Sequence, residues 1–174
     1  MKPILTILLL AATALPAPGA SFSANPTADA FVTTGPTGNL AGNNYGGAGA
    51  LALSAAGLPQ GQLQSVLQFD LAGAISSFNS TYGAGQWSIQ SVTLQLSASP
   101  ANNAIFNPSS AGVVGISWMQ NDSWTEGTGS PAAPGASGIT FLSLQNTFLS
   151  GGDENLGTFS FSGATSGAFT YSLG

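Results

Sequence analysis

Apolar and polar side chains alternate along most of this chain, and a period of two predicts β-strands. Gly, Pro, Asn and Ser separate the alternating runs and predict turns. The predicted strands lie near 28–33, 51–53, 63–71, 92–97, 114–118, 158–162 and 169–173. Trp118 has the parity of Val114 and Ile116, and it is therefore predicted to lie in the core. Trp87 precedes a predicted strand, and its position is left open.

One segment departs from the alternation. Thr140 is placed to cap a short helix over residues 140–149, which is rich in Phe and Leu. Elsewhere no regular alternation of strands and helices is visible. The predicted fold class is therefore all-β: an antiparallel β-sandwich, jelly-roll-like, with one short helix near 140–149. The pattern reaches Gly174 directly after a strand, and we expect the natural chain to continue with further C-terminal strands.

The first 20 residues have the layout of a secretory signal peptide. Lys2 supplies the positive start, the run 4–12 is apolar, and small residues lead to a predicted cleavage after Ala20. The apolar run is too short for a transmembrane helix, which needs about 20 residues. A buried N-terminal helix is the alternative, and Pro16 and Pro18 oppose it. The sequence thus predicts an exported chain, extracellular or at the cell surface, with one domain over 21–174.

Charge and residue usage exclude several functions. Lys2 is the only basic residue, six residues are acidic, and Cys and His are absent from the sequence. Without cationic side chains the chain cannot neutralise phosphates, which excludes nucleic-acid binding. Without His or Cys it cannot build a Ser-His-Asp or Cys-His apparatus, nor a zinc site of the usual ligands.

The acidic residues raise the question of a metal. Once the leader is removed, no cationic side chain remains to pair with the carboxylates. Calcium takes hard oxygen ligands, and Asp29 and Asp70 are candidate ligands for a structural calcium ion. No D-x-D-x-D spacing supports this hypothesis. The alternative is that these carboxylates are solvated or accept hydrogen bonds from caps and loops.

Five segments in order resemble the DNRLRE-domain family of exported β-sandwich proteins. They are 28–32, 43–47, 67–71, 92–96 and 118–129. The resemblance extends to a bacterial subgroup that often ends in a PEP-CTERM sorting tail, and it implies a fold related to carbohydrate-binding modules. Gln68 and Gln95 stand where members usually have arginine, and the sorting tail is absent from this sequence.

Candidate ligand-binding residues lie in two loops. Trp124 is a candidate sugar platform, with Asp122 and Glu126 accepting hydrogen bonds from hydroxyl groups. The alternative is that Trp124 plugs the end of the sandwich and Glu126 caps a turn. Tyr45 is a further candidate contact for a glycan. The alternative for Tyr45 is packing over a sheet edge beside a turn built from Asn and Gly.

Two functional hypotheses follow from these residues. The first is a non-catalytic, carbohydrate-binding-module-like protein for neutral extracellular glycans, because an acidic protein repels acidic polysaccharides. The second is a structural or matrix protein of a cell surface or biofilm without a specific small ligand. A glycosidase that uses Asp122 and Glu126 is disfavoured, because no Arg, Lys or His is present to assist the two carboxylates. We expect no cofactor other than the calcium ion considered above.

Overall fold

The computed structural model describes residues 19–98 and 110–173, so most of the predicted leader lies outside the described residues. About 30% of the chain is strand and 15% is helix, which confirms a predominantly β fold. The strands are β1 (Ala28–Thr33), β2 (Leu63–Gln68), β3 (Val92–Ser97), β4 (Gly112–Trp118), β5 (Glu154–Phe161) and β6 (Ala168–Leu173). The helices are α1 (Ala72–Tyr82) and α2 (Phe141–Ser143), and α2 continues into a π-helical turn, Leu144–Phe148.

All strand pairing between these elements is antiparallel, as predicted. In the described part of the chain, β1 pairs with β2, β3 with β6, and β4 with β5. The predicted strand at 51–53 is wrong, because these residues form no strand and only the next residue, Ser54, makes an isolated bridge, to Leu63. The strand predicted over 63–71 ends at Gln68.

Strand β1 contributes residues to both buried clusters of the core, so both of its faces are covered. Ala30 and Val32 belong to one buried cluster, while Phe31 belongs to another on the opposite face. The first cluster also contains Trp124, Ile139 and Leu144, and the second contains Tyr45 and Leu63. The side chains of Trp124, Ile139 and Leu144 therefore pack on one face of β1, and those of Tyr45 and Leu63 pack on the other.

The other two strand pairs meet through aromatic rings. Phe159 of β5 stacks on Tyr171 of β6 with ring centroids 3.7 Å apart. Phe161 and Phe169 meet edge to face at 5.9 Å. These rings occupy the positions that the alternation predicted to face inward, and each is half-buried. Cross-strand and facing aromatic pairs of this kind stabilise small sheets beyond their buried area.

The short helix near 140–149 is confirmed. The hydroxyl of Thr140 accepts a hydrogen bond from the backbone N–H of Ser143, and the Ser143 hydroxyl accepts one from the Thr140 N–H. This reciprocal arrangement is a capping box in which Ser replaces the usual Glu or Gln. The local sequence therefore suffices to begin this helix.

Helix α1 is not predicted by the sequence pattern. Its Ser, Asn, Thr and Gly residues are poor helix formers, and Ile75 remains half-exposed on its surface. The helix begins after Asp70, whose Oδ1 accepts a hydrogen bond from the backbone N–H of Ala72 at 2.8 Å. It ends at Gly83, which has a φ of +92°. In the described residues no helix is long and apolar enough to span a bilayer.

Candidate functional site

Trp124 is a core residue. Its side chain is only 5% exposed and packs with Val32, Ile139 and Leu144. An indole face in this position cannot stack on a sugar, so the sugar-platform assignment of Trp124 is corrected. The alternative, in which Trp124 plugs the domain from a loop, matches the observed packing. The burial depends on Val32, Ile139 and Leu144, which are distant in sequence, so the loop-like segment around Trp124 could not reveal it.

Tyr45 is also buried. Its side chain is 2% exposed, and its ring stacks on Phe31 at 4.8 Å with an interplanar angle of 9°. The Tyr45 hydroxyl accepts a hydrogen bond from the side-chain amide of Asn43 at 3.3 Å. The glycan contact predicted for Tyr45 is therefore corrected as well, since its ring face is already occupied.

Asn44 organises this region, although the sequence pattern assigned it no role of its own. It is 0% exposed, and its side-chain nitrogen donates to the carbonyl oxygens of Glu126 at 2.6 Å and Ile139 at 2.8 Å. Its side-chain oxygen accepts from the backbone N–H groups of Gly46 and Gly129 at 3.2 and 3.0 Å. All hydrogen-bonding positions of the amide nitrogen and oxygen are thus used within the protein.

Glycine permits the two loops to approach this closely. A Cβ atom on Gly46 would lie 2.1 Å from the Glu126 carbonyl oxygen, and one on Gly129 would lie 2.0 Å from the Asn44 carbonyl oxygen. Neither distance is compatible with a side chain. The segments 43–47 and 126–129, both of which carried the family resemblance, therefore form one buried junction, which we call the Asn44 junction.

Asp122 and Glu126 have different surroundings: Asp122 contacts β2, and Glu126 belongs to the Asn44 junction. Asp122 is exposed, and its backbone carbonyl accepts a hydrogen bond from the Gln68 side chain at 2.8 Å. Glu126 is half-buried, and its backbone carbonyl is a partner of Asn44. Their shared neighbour Trp124 is buried, so the structure does not assemble the predicted aromatic and acidic surface.

Asp29 and Asp70 have separate surroundings. Asp29 lies on β1 opposite Leu67, whereas the Asp70 carboxylate accepts the α1 hydrogen bond described above. In the described ranges, no three Asp, Glu, His or Cys side chains are grouped so as to hold a metal ion. The hydrogen-bonding alternative is thus observed for Asp70.

Asp153 is the acidic residue with the most evident structural task. Its carboxylate accepts hydrogen bonds from the backbone N–H groups of Ser150 at 3.0 Å and Gln120 at 3.1 Å. The Ser150 hydroxyl donates to it as well, at 3.1 Å. The backbone donors of Ser150 and Gln120 stabilise the charged form and lower the pKa of Asp153 below its ordinary value.

A cleft with a volume of about 920 Å³ lies between α1 and β3. Aromatic and aliphatic side chains dominate its wall. Phe22, Phe78, Tyr82, Trp87, Ile89 and Leu94 are among the lining residues. Gln86 and Gln90 add neutral amides, and none of the described residues that line the cleft is charged. We call this feature the Trp87 cleft.

The position of Trp87 in this cleft is well defined. Its indole N–H donates to the Asn79 side-chain oxygen at 2.8 Å. Its ring contacts Phe78 at 5.2 Å with a tilt of 57°. Both partners belong to α1, the helix that the sequence pattern does not predict, so the cleft was not predictable from the strand pattern. Half-buried Trp87 retains ring surface toward the cleft.

Trp118 is placed differently from its prediction. The alternation assigned it to the core, but its side chain is 50% exposed. A register shift between Ile116 and Ser117 separates it from the regular part of β4. The extra residue at this shift is Leu156 of β5, so the bulge lies in the strand that pairs with β4, next to the Trp118–Glu154 pair.

Comparison with protein-family models, with curated proteins and with solved structures finds no match for this chain.

Proposed function

We propose that this chain is an exported, non-catalytic protein that binds neutral glycans outside the cell. The observation that carries the proposal is the Trp87 cleft. Its volume falls within the range of about 300–1,000 Å³ that is typical of small-molecule sites. Its aromatic wall offers apolar ring faces, and its amides offer neutral hydrogen-bond donors and acceptors.

Charge restricts the ligand class. With one lysine against six acidic residues, the chain has a net charge of −5, and removal of the predicted leader leaves no cationic side chain. Uronic acids, sulfated glycans and phosphates would therefore meet repulsion with no cationic side chain to offset it. A neutral glycan requires no such partner.

The finer description of the fold belongs to the same proposal. We infer a jelly-roll-like sandwich of the DNRLRE type, supported by the antiparallel pairs and by the aromatic contacts between β5 and β6. Export, to the extracellular space or a bacterial cell surface, is supported by the leader-like sequence of residues 1–20. Fold analogy alone does not assign a ligand, so the cleft remains the principal support.

Affinity electrophoresis tests the proposal directly. The exported chain is run through gels that contain galactomannan, glucomannan or amylopectin, with alginate as the acidic comparison. We expect retardation by at least one neutral polymer and none by alginate. Trp87→Ala is expected to bind at least about tenfold more weakly, since it removes the main aromatic surface. Val113→Ala is the control because Val113 is 72% exposed and does not line the cleft. Loss of binding in the control, or no binding by the wild type, would contradict the proposal.

A structural or matrix role is the second candidate, and the exposed apolar residues favour it. Val92 of β3 is 50% exposed and Val113 of β4 is 72% exposed. Neither of these strands contains a charged residue, although charges are a usual protection against pairing at sheet edges. Concentration-dependent assembly in sedimentation velocity, together with silence on every glycan, would favour this candidate.

A further inference from the structure

Trp118 presents an aromatic surface outside the Trp87 cleft. It is the last residue of β4, it follows the register shift after Ile116, and half of its side-chain surface is exposed. A half-exposed indole offers apolar ring surface that a ligand can cover.

Hydrogen-bonding groups adjoin this ring. Glu154 is directly opposite Trp118 in the ladder, and opposite residues in an antiparallel pair have Cβ atoms roughly 5 Å apart. Gln120 follows two positions after Trp118 and is exposed. The carboxylate accepts hydrogen bonds and the carboxamide both donates and accepts them, which suits ligand hydroxyl groups.

The backbone beside the ring is held in place. The Asp153 carboxylate connects the 150–153 turn to the Gln120 backbone, as described above. The Gln120 side chain lies directly against Gly152, where a Cβ atom would be 2.2 Å from Oε1 of Gln120. Gln120 is thus held against this turn, and Glu154 directly follows the turn in the chain. Preordered groups lose less conformational entropy when a ligand binds.

We propose that Trp118, Glu154 and Gln120 form a second glycan contact, separate from the Trp87 cleft. The inference rests on the proposed function, and it takes the same ligand class, a neutral hexose polymer. The indole packs against the apolar face of a pyranose ring, while Glu154 and Gln120 bind its hydroxyl groups. Two contacts on one chain make binding to a polysaccharide bivalent, which raises its avidity without any change at the cleft.

Two measurements distinguish the two contacts. One is retardation in gels that contain a polymer, and the other is binding of a short oligosaccharide. Galactomannan, glucomannan and amylopectin are the polymers, and their trisaccharide fragments are the short ligands. Trp118→Ala is expected to weaken polymer binding by about tenfold or more, because bivalency is lost. It is expected to leave trisaccharide binding at the Trp87 cleft within about twofold of the wild type, because additivity holds for separate sites. Trp118→Phe retains a ring, and its polymer binding is expected to fall between that of the wild type and that of Trp118→Ala.

Val113→Ala is the matched control on the same strand, and circular dichroism verifies that every variant is folded. As a second readout, N-bromosuccinimide oxidation of Trp118 is followed by mass spectrometry of its peptide. Bound polymer is expected to slow this oxidation at least about threefold, because stacking covers the exposed ring face.

If wild type and Trp118→Ala bind the polymers equally, and oxidation is unaffected, the second contact is refuted while the Trp87 cleft stands. If no neutral polymer binds the wild type, the proposed function fails and this inference fails with it. If Trp118→Ala abolishes trisaccharide binding as well, Trp118 belongs to the only contact and the bivalent arrangement is refuted.

Discussion

The side-chain nitrogen of Asn44 lies 2.6 Å from the carbonyl oxygen of Glu126, although 82 positions separate the two residues in sequence. This contact joins the segment 43–47 to the segment 126–129. Because Asn44 is fully buried, water cannot replace the bonds of its amide. The Asn44 side chain therefore acts together with the backbone of the junction, where the Gly47 N–H donates to the Gly129 carbonyl oxygen at 2.8 Å.

Replacing Asn44 should destabilise the fold strongly. Asn44→Ala leaves two carbonyl oxygens and two backbone N–H groups without their partner, and each buried group left unsatisfied costs about 1–3 kcal/mol. We expect a loss of about 3 kcal/mol or more in the free energy of unfolding, measured by urea denaturation. Asn43→Ala is the control, since it removes a single 3.3 Å hydrogen bond, and it should cost about 1 kcal/mol or less. Equal effects of the two substitutions would contradict the central role of Asn44.

Glycine at position 46 should be irreplaceable for steric reasons. Gly46→Ala places Cβ 2.1 Å from the Glu126 carbonyl oxygen, so the two loops must separate. We expect a loss of about 2 kcal/mol or more, in line with overpacking elsewhere in protein cores. Gly115→Ala in β4 is the matched control, because its Cβ meets no atom within 4 Å. This control should be neutral or stabilising by about 0.5–1 kcal/mol. A Gly46→Ala protein as stable as Gly115→Ala would show that the loops do not meet as described.

Truncation of Trp124 and of Trp118 should reduce the free energy of unfolding by very different amounts. Trp124→Ala removes a core side chain and should cost about 3–5 kcal/mol. Trp118→Ala removes a half-exposed ring and should cost about 1 kcal/mol or less. Thermal unfolding of the two variants checks the difference. Iodide quenching provides an independent test, since Trp118→Phe should remove more of the quenchable fluorescence than Trp124→Phe. The reverse order would place Trp118 in the core after all.

Asp153 should make the stability of the fold depend on pH in the acidic range. Its pKa is lowered in the folded protein from an ordinary value of 3.8. Its stabilising effect is therefore fully present above that value and is lost as the pH falls through the folded pKa, below about pH 4. Asp153→Asn is expected to lower the Tm at pH 7. The difference from wild type should shrink as the pH falls through the folded pKa, because the carboxylate is then protonated in both states. A difference that is constant with pH would exclude this role.

Asp70 should stabilise the start of α1 and should not bind calcium. Asp70→Ala removes the hydrogen bond to the Ala72 N–H and is expected to cost about 0.5–2 kcal/mol, as do other losses at helix N-termini. Asp70→Asn keeps an acceptor oxygen and should restore most of this stability. Addition of a calcium chelator should leave the Tm of the wild type unchanged. A drop in Tm with chelator that Asp70→Asn abolishes would instead establish the calcium hypothesis.

Local sequence determined the elements that depend on neighbouring residues. The alternation located β1 within the chain, along with the inward-facing rings of β5 and β6, because a strand's period of two is a property of the segment itself. Thr140 and Ser143 likewise specified the start of α2, since a capping box involves only four consecutive positions. The lack of cationic residues beyond Lys2 restricts the ligand class whatever the fold, because net charge is a property of composition alone.

Tertiary structure alone decided which rings are exposed. Trp124 and Trp118 both occupy plausible strand or loop positions, yet one is covered by residues that are distant in sequence while the other lies next to a bulge and is half-exposed. The Asn44 junction and the Trp87 cleft arise from segments far apart in sequence, and α1 forms despite poor helix propensity. Periodicity reports which side of a segment is apolar, but burial depends on what packs against that side, which is set by long-range contacts.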